Sequence, residues 1–361
     1  MKRYRRLIAA LLCTALVFGI IPDRFSMEGK VLAAETGGTQ EGIKDEKTVD
    51  SVVEITSSDF GDEPSQYTIT QSGTYVINGT ISGNYGLVID APDVILEVGK
   101  DGGLVHKEKD TSETGSTLLY PNITVNSGAS LTLRGEGEIK SYADETENAN
   151  VLNKGTLTIE GNISLYRSIK AMSKVSGPAI YNMGGTLQVD GGVIRAQYGN
   201  AVRNQDGGTA TINNGLLTSS FTSAIQNATG SLTVNGGIIE SRSPDTGNLP
   251  AIGCSKGPNT LTINGGELKA IGTPYGLIED SSNAESTIRI TDTDIVSTTA
   301  KAGLYIEDNT KLYISGTSKI GGRNAGIVNT GCNANAGSNP NAGSDANTGS
   351  DADTWSNPNT G

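Results

Sequence analysis

One five-residue line recurs down this chain and restricts its fold more than any other feature. Leu131-Thr132-Leu133-Arg134-Gly135 returns as Leu157-Thr158-Ile159-Glu160-Gly161, as Leu187-Gln188-Val189-Asp190-Gly191 and as Leu232-Thr233-Val234-Asn235-Gly236. Leu261-Thr262-Ile263-Asn264-Gly265 and Leu312-Tyr313-Ile314-Ser315-Gly316 continue it, with weaker copies at Ala210-Thr211-Ile212 and Ile288-Arg289-Ile290. Each copy alternates apolar and polar residues, which is the period of a strand. The glycines that follow permit the sharp corners such short strands need. A second line comes after the first: Pro178-Ala179-Ile180-Tyr181-Asn182, Asn200-Ala201-Val202-Arg203-Asn204 and Ser223-Ala224-Ile225-Gln226-Asn227. It is still visible at Pro250-Ala251-Ile252-Gly253-Cys254 and Ala325-Gly326-Ile327-Val328-Asn329.

Successive first lines lie 22 to 30 residues apart. One such repeat cannot bury its own apolar row, but stacking like on like joins Leu131, Leu157, Leu187, Leu232 and Leu261 into one column. No amphipathic helical pattern separates the strands, which excludes a βαβ fold. The repeat is also too short for a propeller blade. The expected fold is all-β: a right-handed, single-stranded parallel β-helix, a solenoid of about ten three-strand coils and about 50 Å long at the usual strand spacing. The 48 glycines suit a chain that turns every few residues.

Four segments are expected. Residues 1–34 read as a secretion signal: Lys2, Arg3, Arg5 and Arg6 precede an apolar stretch from Leu7 to Ile21 that is short for a bilayer span. Val31-Leu32-Ala33 or Leu32-Ala33-Ala34 offers the cleavage site. Residues 35–50 are a polar linker and 51–331 the β-helix. Residues 332–361 form a low-complexity Asn/Gly/Ser/Asp tail, too poor in apolar surface to order itself. Removing 1–34 takes away six basic and two acidic residues and moves the formal charge from −12 to −16. That charge argues against nucleic acid, whose phosphates need basic neutralisation. It favours a neutral or calcium-bridged ligand. Only Cys254 and Cys332 remain, too few for a disulfide scaffold in an exported chain. The expectation is a secreted, cell-surface-associated bacterial protein, monomeric and without a membrane span.

Several polar rows follow from the repeat. Asn153, Asn182, Asn204, Asn227 and Asn329 share one register, with Cys254 in it once, and read as an internal asparagine ladder rather than a ligand row. Thr132, Thr158, Thr211, Thr233 and Thr262 project from one strand column. One threonine per coil, with Gln188, Arg289 and Tyr313 interrupting, argues against an ice-like lattice, and threonine is favoured on strands anyway. The column Tyr181, Arg203, Gln226, with Gly253 and Tyr305 beyond, points outward. Longer connections, Ser141–Asn150, Tyr166–Gly177 and Ser241–Leu249, leave after the same strand, and loops on a rigid scaffold commonly carry binding. They bring Tyr142, Asp144, Glu145, Glu147, Lys170 and Asp245 to that side. The expected substrate-binding residues are Tyr166, Arg167, Tyr181, Arg203, Gln226 and Arg242. No catalytic residue is assigned. His106, the single histidine, sits in a polar excursion, and Asp292-Thr293-Asp294 reads as a hydrated pair of carboxylates on one strand face. No cofactor is expected, with calcium as the ion to test.

Those residues together resemble the pectate-lyase-like superfamily of right-handed β-helices, and most of all the glycine-rich surface proteins of clostridial-type bacteria. Tyr67-Thr68-Ile69-Thr70 through Gly73-Thr74-Tyr75-Val76-Ile77 to Val94-Ile95-Leu96 is similar to the opening of their secreted carbohydrate-binding domains. The resemblance implies binding to plant-type or envelope polysaccharide. Polygalacturonases of this fold carry Asn-Thr-Asp, Asp-Asp, Gly-His-Gly and Arg-x-Lys, none of which occurs here. No calcium-and-arginine cluster of a pectate lyase is assignable from Arg195, Arg203 and Arg242. Asn357-Pro358-Asn359-Thr360-Gly361 resembles a sortase sorting motif. The functional expectation is a non-catalytic, adhesin-like carbohydrate-binding envelope protein. The alternatives are a polysaccharide lyase or glycosidase, and a purely structural spacer.

Overall fold

The repeated lines stack in parallel and in register, so like residue lies on like. In the computed structural model the described residues are 52–106, 120–142, 149–168, 177–242, 249–271, 277–280, 284–297, 300–306 and 310–329. The segments expected as secretion signal, linker and tail lie outside them. So do residues 143–148, 169–176 and 243–248 of the longer connections, with Asp144, Glu145, Glu147, Lys170 and Asp245.

Three long parallel sheets run side by side. Sheet 1 has 11 strands, from Val53–Glu54 to Thr310–Ser315. Sheet 2 has eight, from Thr80–Ser82 to Glu267–Ile271, and sheet 3 has 11, from Ser65–Ile69 to Ala325–Asn329. From Gly73 to Asp280 the chain visits sheets 1, 2 and 3 in turn, which defines a parallel β-helix, and parallel crossovers wind right-handed. Among the described residues the one helical turn is a 3-10 turn at Ser57–Asp59. The last two strands that should extend sheet 2, Asp294–Val296 and Lys319–Gly321, pair only with each other.

The core is the set of inward columns. On sheet 1, Leu131, Leu157, Leu187, Ala210, Leu232 and Leu261 are in register and buried. Sheet 2 supplies Leu104, Ile139, Leu165, Ile194, Leu217 and Ile239. Leu165 is the register partner of Ile139, and the buried Ile163 fills the corner before it. Sheet 3 adds Ile123, Val151, Ile180, Val202, Ile225 and Ile252. Burying each such aliphatic side chain is worth about 1.5–3 kcal/mol, which offsets the entropy of ordering so many short strands.

The corner from sheet 3 to sheet 1 is held by the asparagine row inside the helix. Asn153, Asn182, Asn204 and Asn227 are buried, and each Nδ2 donates to the next Oδ1 at 2.7 Å as far as Asn227. Cys254 occupies the register position above Asn227. There the row shifts to Asn259, whose Oδ1 accepts from Asn227 Nδ2 at 3.2 Å. The side chain of Asn329 lies outside the described residues.

Candidate functional site

The outward column of sheet 3 is as expected. Tyr181, Arg203, Gln226 and Gly253 are consecutive register partners on four neighbouring coils. The Arg203 guanidinium lies 5.8 Å from the Tyr181 ring centroid, a cation–π distance. Its Nη2 also faces Asn200 Oδ1 at 3.5 Å. Gln226 donates to Ser255 at 2.8 Å. Tyr305 stands further up the same column.

The other three expected binding residues are not gathered there. Tyr166 and Arg242 belong to sheet 2, across the corner. Tyr166 sits between Lys140 and Arg195 in register, and the Lys140 ammonium lies 5.6 Å from its ring and 5.0 Å from that of Tyr142. The Lys140 ammonium is held above the usual lysine range, first by its hydrogen bond to Tyr142. Arg242 is exposed and ion-paired with the mostly buried Glu240.

Arg167 corrects the expectation most. It lies inside the helix, 0% exposed, and its Nη1 donates to Ser141 Oγ at 2.5 Å. The strand runs through Ser164–Ser168, so alternation turns Tyr166 out and Arg167 in. Burial pushes its pKa down to about 10. His106 corrects a second reading: it too is buried, one coil below Ser141, with Nε2–H donating to Tyr85 O at 2.8 Å. Burial lowers its pKa to about 4, with the Arg167 charge adding to the effect. This interior line of His106, Ser141 and Arg167 supports the second-to-third corner from within.

The same corner carries a pair that sequence reasoning missed. The rings of Tyr198 and Phe221 stack at 4.4 Å with planes 4° apart. They lie in the two short connections, Gln197 to Ala201 and Ser220 to Ala224. Their separation is close to the coil spacing, so one ring sits directly over the other. Both are partly exposed. The signal in the sequence was the shortness of these two connections between longer ones, with one aromatic in each.

Two further readings change. Asp292 has φ +48 and turns a corner rather than standing in a strand, Thr293 is buried, and Asp294 opens the next strand beside Lys319 at 3.5 Å. The two carboxylates therefore do not share a strand face. Sheet 1 carries two hydroxyl columns, not one: Ser130, Thr156, Thr186, Thr209, Ser231 and Thr260 are in register two residues before the expected threonines. Gln188 still interrupts the lattice, and Arg289 ends it under the Tyr313 ring at 4.9 Å.

A groove on the first-to-second corner is lined by Glu97, Glu136, Glu160 and Arg134, with Lys100 and Asn162. Arg134 and Glu97 form an ion pair at 3.1 Å, both about half exposed. Among the described residues no group of three or more His, Cys, Asp or Glu side chains converges closely enough to hold a metal ion. No helix among them is long and apolar enough to cross a membrane. Nothing matches among family models, curated proteins or solved structures.

Proposed function

We propose that this chain is a non-catalytic, adhesin-like carbohydrate-binding protein of the bacterial envelope, exported and displayed at the cell surface. The observation that carries the reading is the Tyr181–Arg203–Gln226 column, three consecutive coils in strict register, with the Tyr198–Phe221 ring stack in the connections that lead into the strands of Arg203 and Gln226. Aromatic faces pack against the C–H faces of sugar rings, while guanidinium and amide groups reach hydroxyls. Short strands locked by register keep these groups at fixed spacing, which lowers the ordering cost of binding a linear polymer. The reading also draws on the resemblance to pectate-lyase-like β-helices. A glycan array and pull-down on insoluble polysaccharides, each with and without calcium, test it. Retention on at least one glycan is expected, weakened by about tenfold in the Tyr181→Ala, Arg203→Ala double variant, the loss typical of an anchor pair. Retention on no glycan overturns the reading.

One observation favours a second reading, a polysaccharide lyase or glycosidase: three glutamates and Arg134 line a single groove. Paired carboxylates are the usual apparatus of glycoside hydrolysis. New reducing ends or unsaturated uronate absorbance, abolished by Glu136→Gln or Glu160→Gln, support it. Binding without turnover on the retained glycans excludes it.

A further inference from the structure

A second amide row runs on the outside of the helix, at the corner from sheet 1 to sheet 2. Asp190, Asn213, Asn235 and Asn264 each stand one residue past a buried, register-matched Val189, Ile212, Val234 and Ile263. Asn213 Nδ2 donates to Asp190 Oδ1 at 2.7 Å, Asn235 Nδ2 to Asn213 Oδ1 at 2.8 Å, and Asn264 Nδ2 to Asn235 Oδ1 at 3.0 Å. The row ends at Asn264. The next coil places Thr291 there, and its hydroxyl is bonded to Ser315 at 3.0 Å.

Two members of the row share one tripeptide in one corner: Asn235-Gly236-Gly237 and Asn264-Gly265-Gly266. Their glycines meet the same crowding. A Cβ on Gly236 would lie 2.4 Å from Asn213 O, and one on Gly265 would lie 2.5 Å from Asn235 O. Their hydrogen bonding differs. The Gly236 N–H donates to Ile212 O at 3.3 Å, and Asn235 Oδ1 accepts from Asn264. The Gly265 N–H and Asn264 Oδ1 have no partner among the described residues.

We propose that Asn264 is a site of spontaneous deamidation, and that the exterior row makes Asn264 react before Asn235. The Gly265 amide nitrogen, after losing its proton to solvent base, attacks Asn264 Cγ. The new N–Cγ bond forms as the Cγ–Nδ2 bond breaks, and Nδ2 leaves as ammonia with a proton from water. Water then opens the resulting succinimide at either carbonyl, giving aspartate or isoaspartate. The net change is one water consumed and one ammonia released, with no oxidation. Glycine leaves the attacking nitrogen unscreened. At Asn235 that nitrogen is engaged by Ile212, and the amide is held at both ends. Once residue 264 is a carboxylate, it has no N–H to give to Asn235 Oδ1, so Asn235 becomes the new end of the row.

The test is a time course of the intact protein in mildly alkaline buffer, read by peptide mapping with isoaspartate detection. Asn264 is expected to convert about tenfold faster than Asn235, the ratio that one net hydrogen bond supplies. In the Asn264→Asp variant, Asn235 is expected to speed up by a comparable factor. The other Asn-Gly steps, Asn78-Gly79 and Asn214-Gly215, lie outside the row and are read on their own peptides. Conversion of Asn235 at or before the rate of Asn264 overturns the proposal. So does an Asn264 that stays intact while the unfolded chain converts, or an unchanged Asn235 rate in Asn264→Asp.

Discussion

At the scale of single residues, the buried polar groups decide how this rod responds to its surroundings. His106 is neutral in the fold, with its pKa lowered to about 4 by burial. The unfolded chain takes up that proton near pH 6.5. Between those values the unfolded state binds more protons, so stability rises with pH through the window and is lost as pH falls. The shift corresponds to about 3 kcal/mol across the whole window. His106→Gln keeps a donor for Tyr85 O and should flatten the fall in melting temperature between neutral pH and pH 4. An unchanged slope in the variant would assign the acid sensitivity elsewhere. The interior asparagines were legible in the sequence because a register of identical amides has one economical use. Arg167 was not. Its strand runs on to Ser168, and a connection that begins at Tyr166 makes an inward arginine a loop residue. His106 was obscured in the same way, by the polar stretch that follows it.

At the scale of elements, the corners are more demanding than the strands. Gly207 has φ +78 with open space around it, whereas a Cβ on Gly208 would meet Asn204 Oδ1 at 2.5 Å and Asn182 Nδ2 at 2.8 Å. Gly207→Ala therefore faces backbone strain alone, about 1 kcal/mol. Gly208→Ala must also push apart two members of the amide row, with a cost of about 3 kcal/mol. Thermal melts of the two variants check the order, and a Gly208→Ala as mild as Gly207→Ala would show that the row yields. The strand lines themselves were readable because their period and their glycines agree. The two hydroxyl columns were half readable, since the column from Ser130 to Thr260 lies at the first strand residue, one position before each repeated line begins. The Tyr198–Phe221 stack was invisible to periodicity because it sits in connections, where no period operates.

At the scale of the whole molecule, each coil touches only its neighbours, so damage should stay local or spread according to where it falls. Leu187 is fully buried in the middle of sheet 1, and Leu312 is in its last strand. Leu187→Ala should cost about 3 kcal/mol and raise hydrogen exchange in coils on both sides. Leu312→Ala should raise exchange only in the final coils. Equal exchange across the rod in both variants would mean that it melts as one unit. The fold class was legible from the repeat. The placement of the candidate site was legible only in part, because Tyr181, Arg203 and Gln226 share a sheet while Tyr166 and Arg242 stand on another.

The two amide rows also have a direction. Inside, the Nδ2 groups of Asn153, Asn182 and Asn204 donate hydrogen bonds to the coil above. Outside, the Nδ2 groups of Asn264, Asn235 and Asn213 donate hydrogen bonds to the coil below. Backbone carbonyls of Gly185, Gly208 and Gly230 fix the interior sense, since a carbonyl can only accept. Neither Asn182, Asn204 nor Asn227 can turn over alone without breaking bonds to amides on both sides. Hydrogen bonds in series polarise one another. The rod is therefore wired by two currents of aligned dipoles running in opposite senses, one sheathed in hydrocarbon and one open to water, and only the open one can be rewritten by solvent.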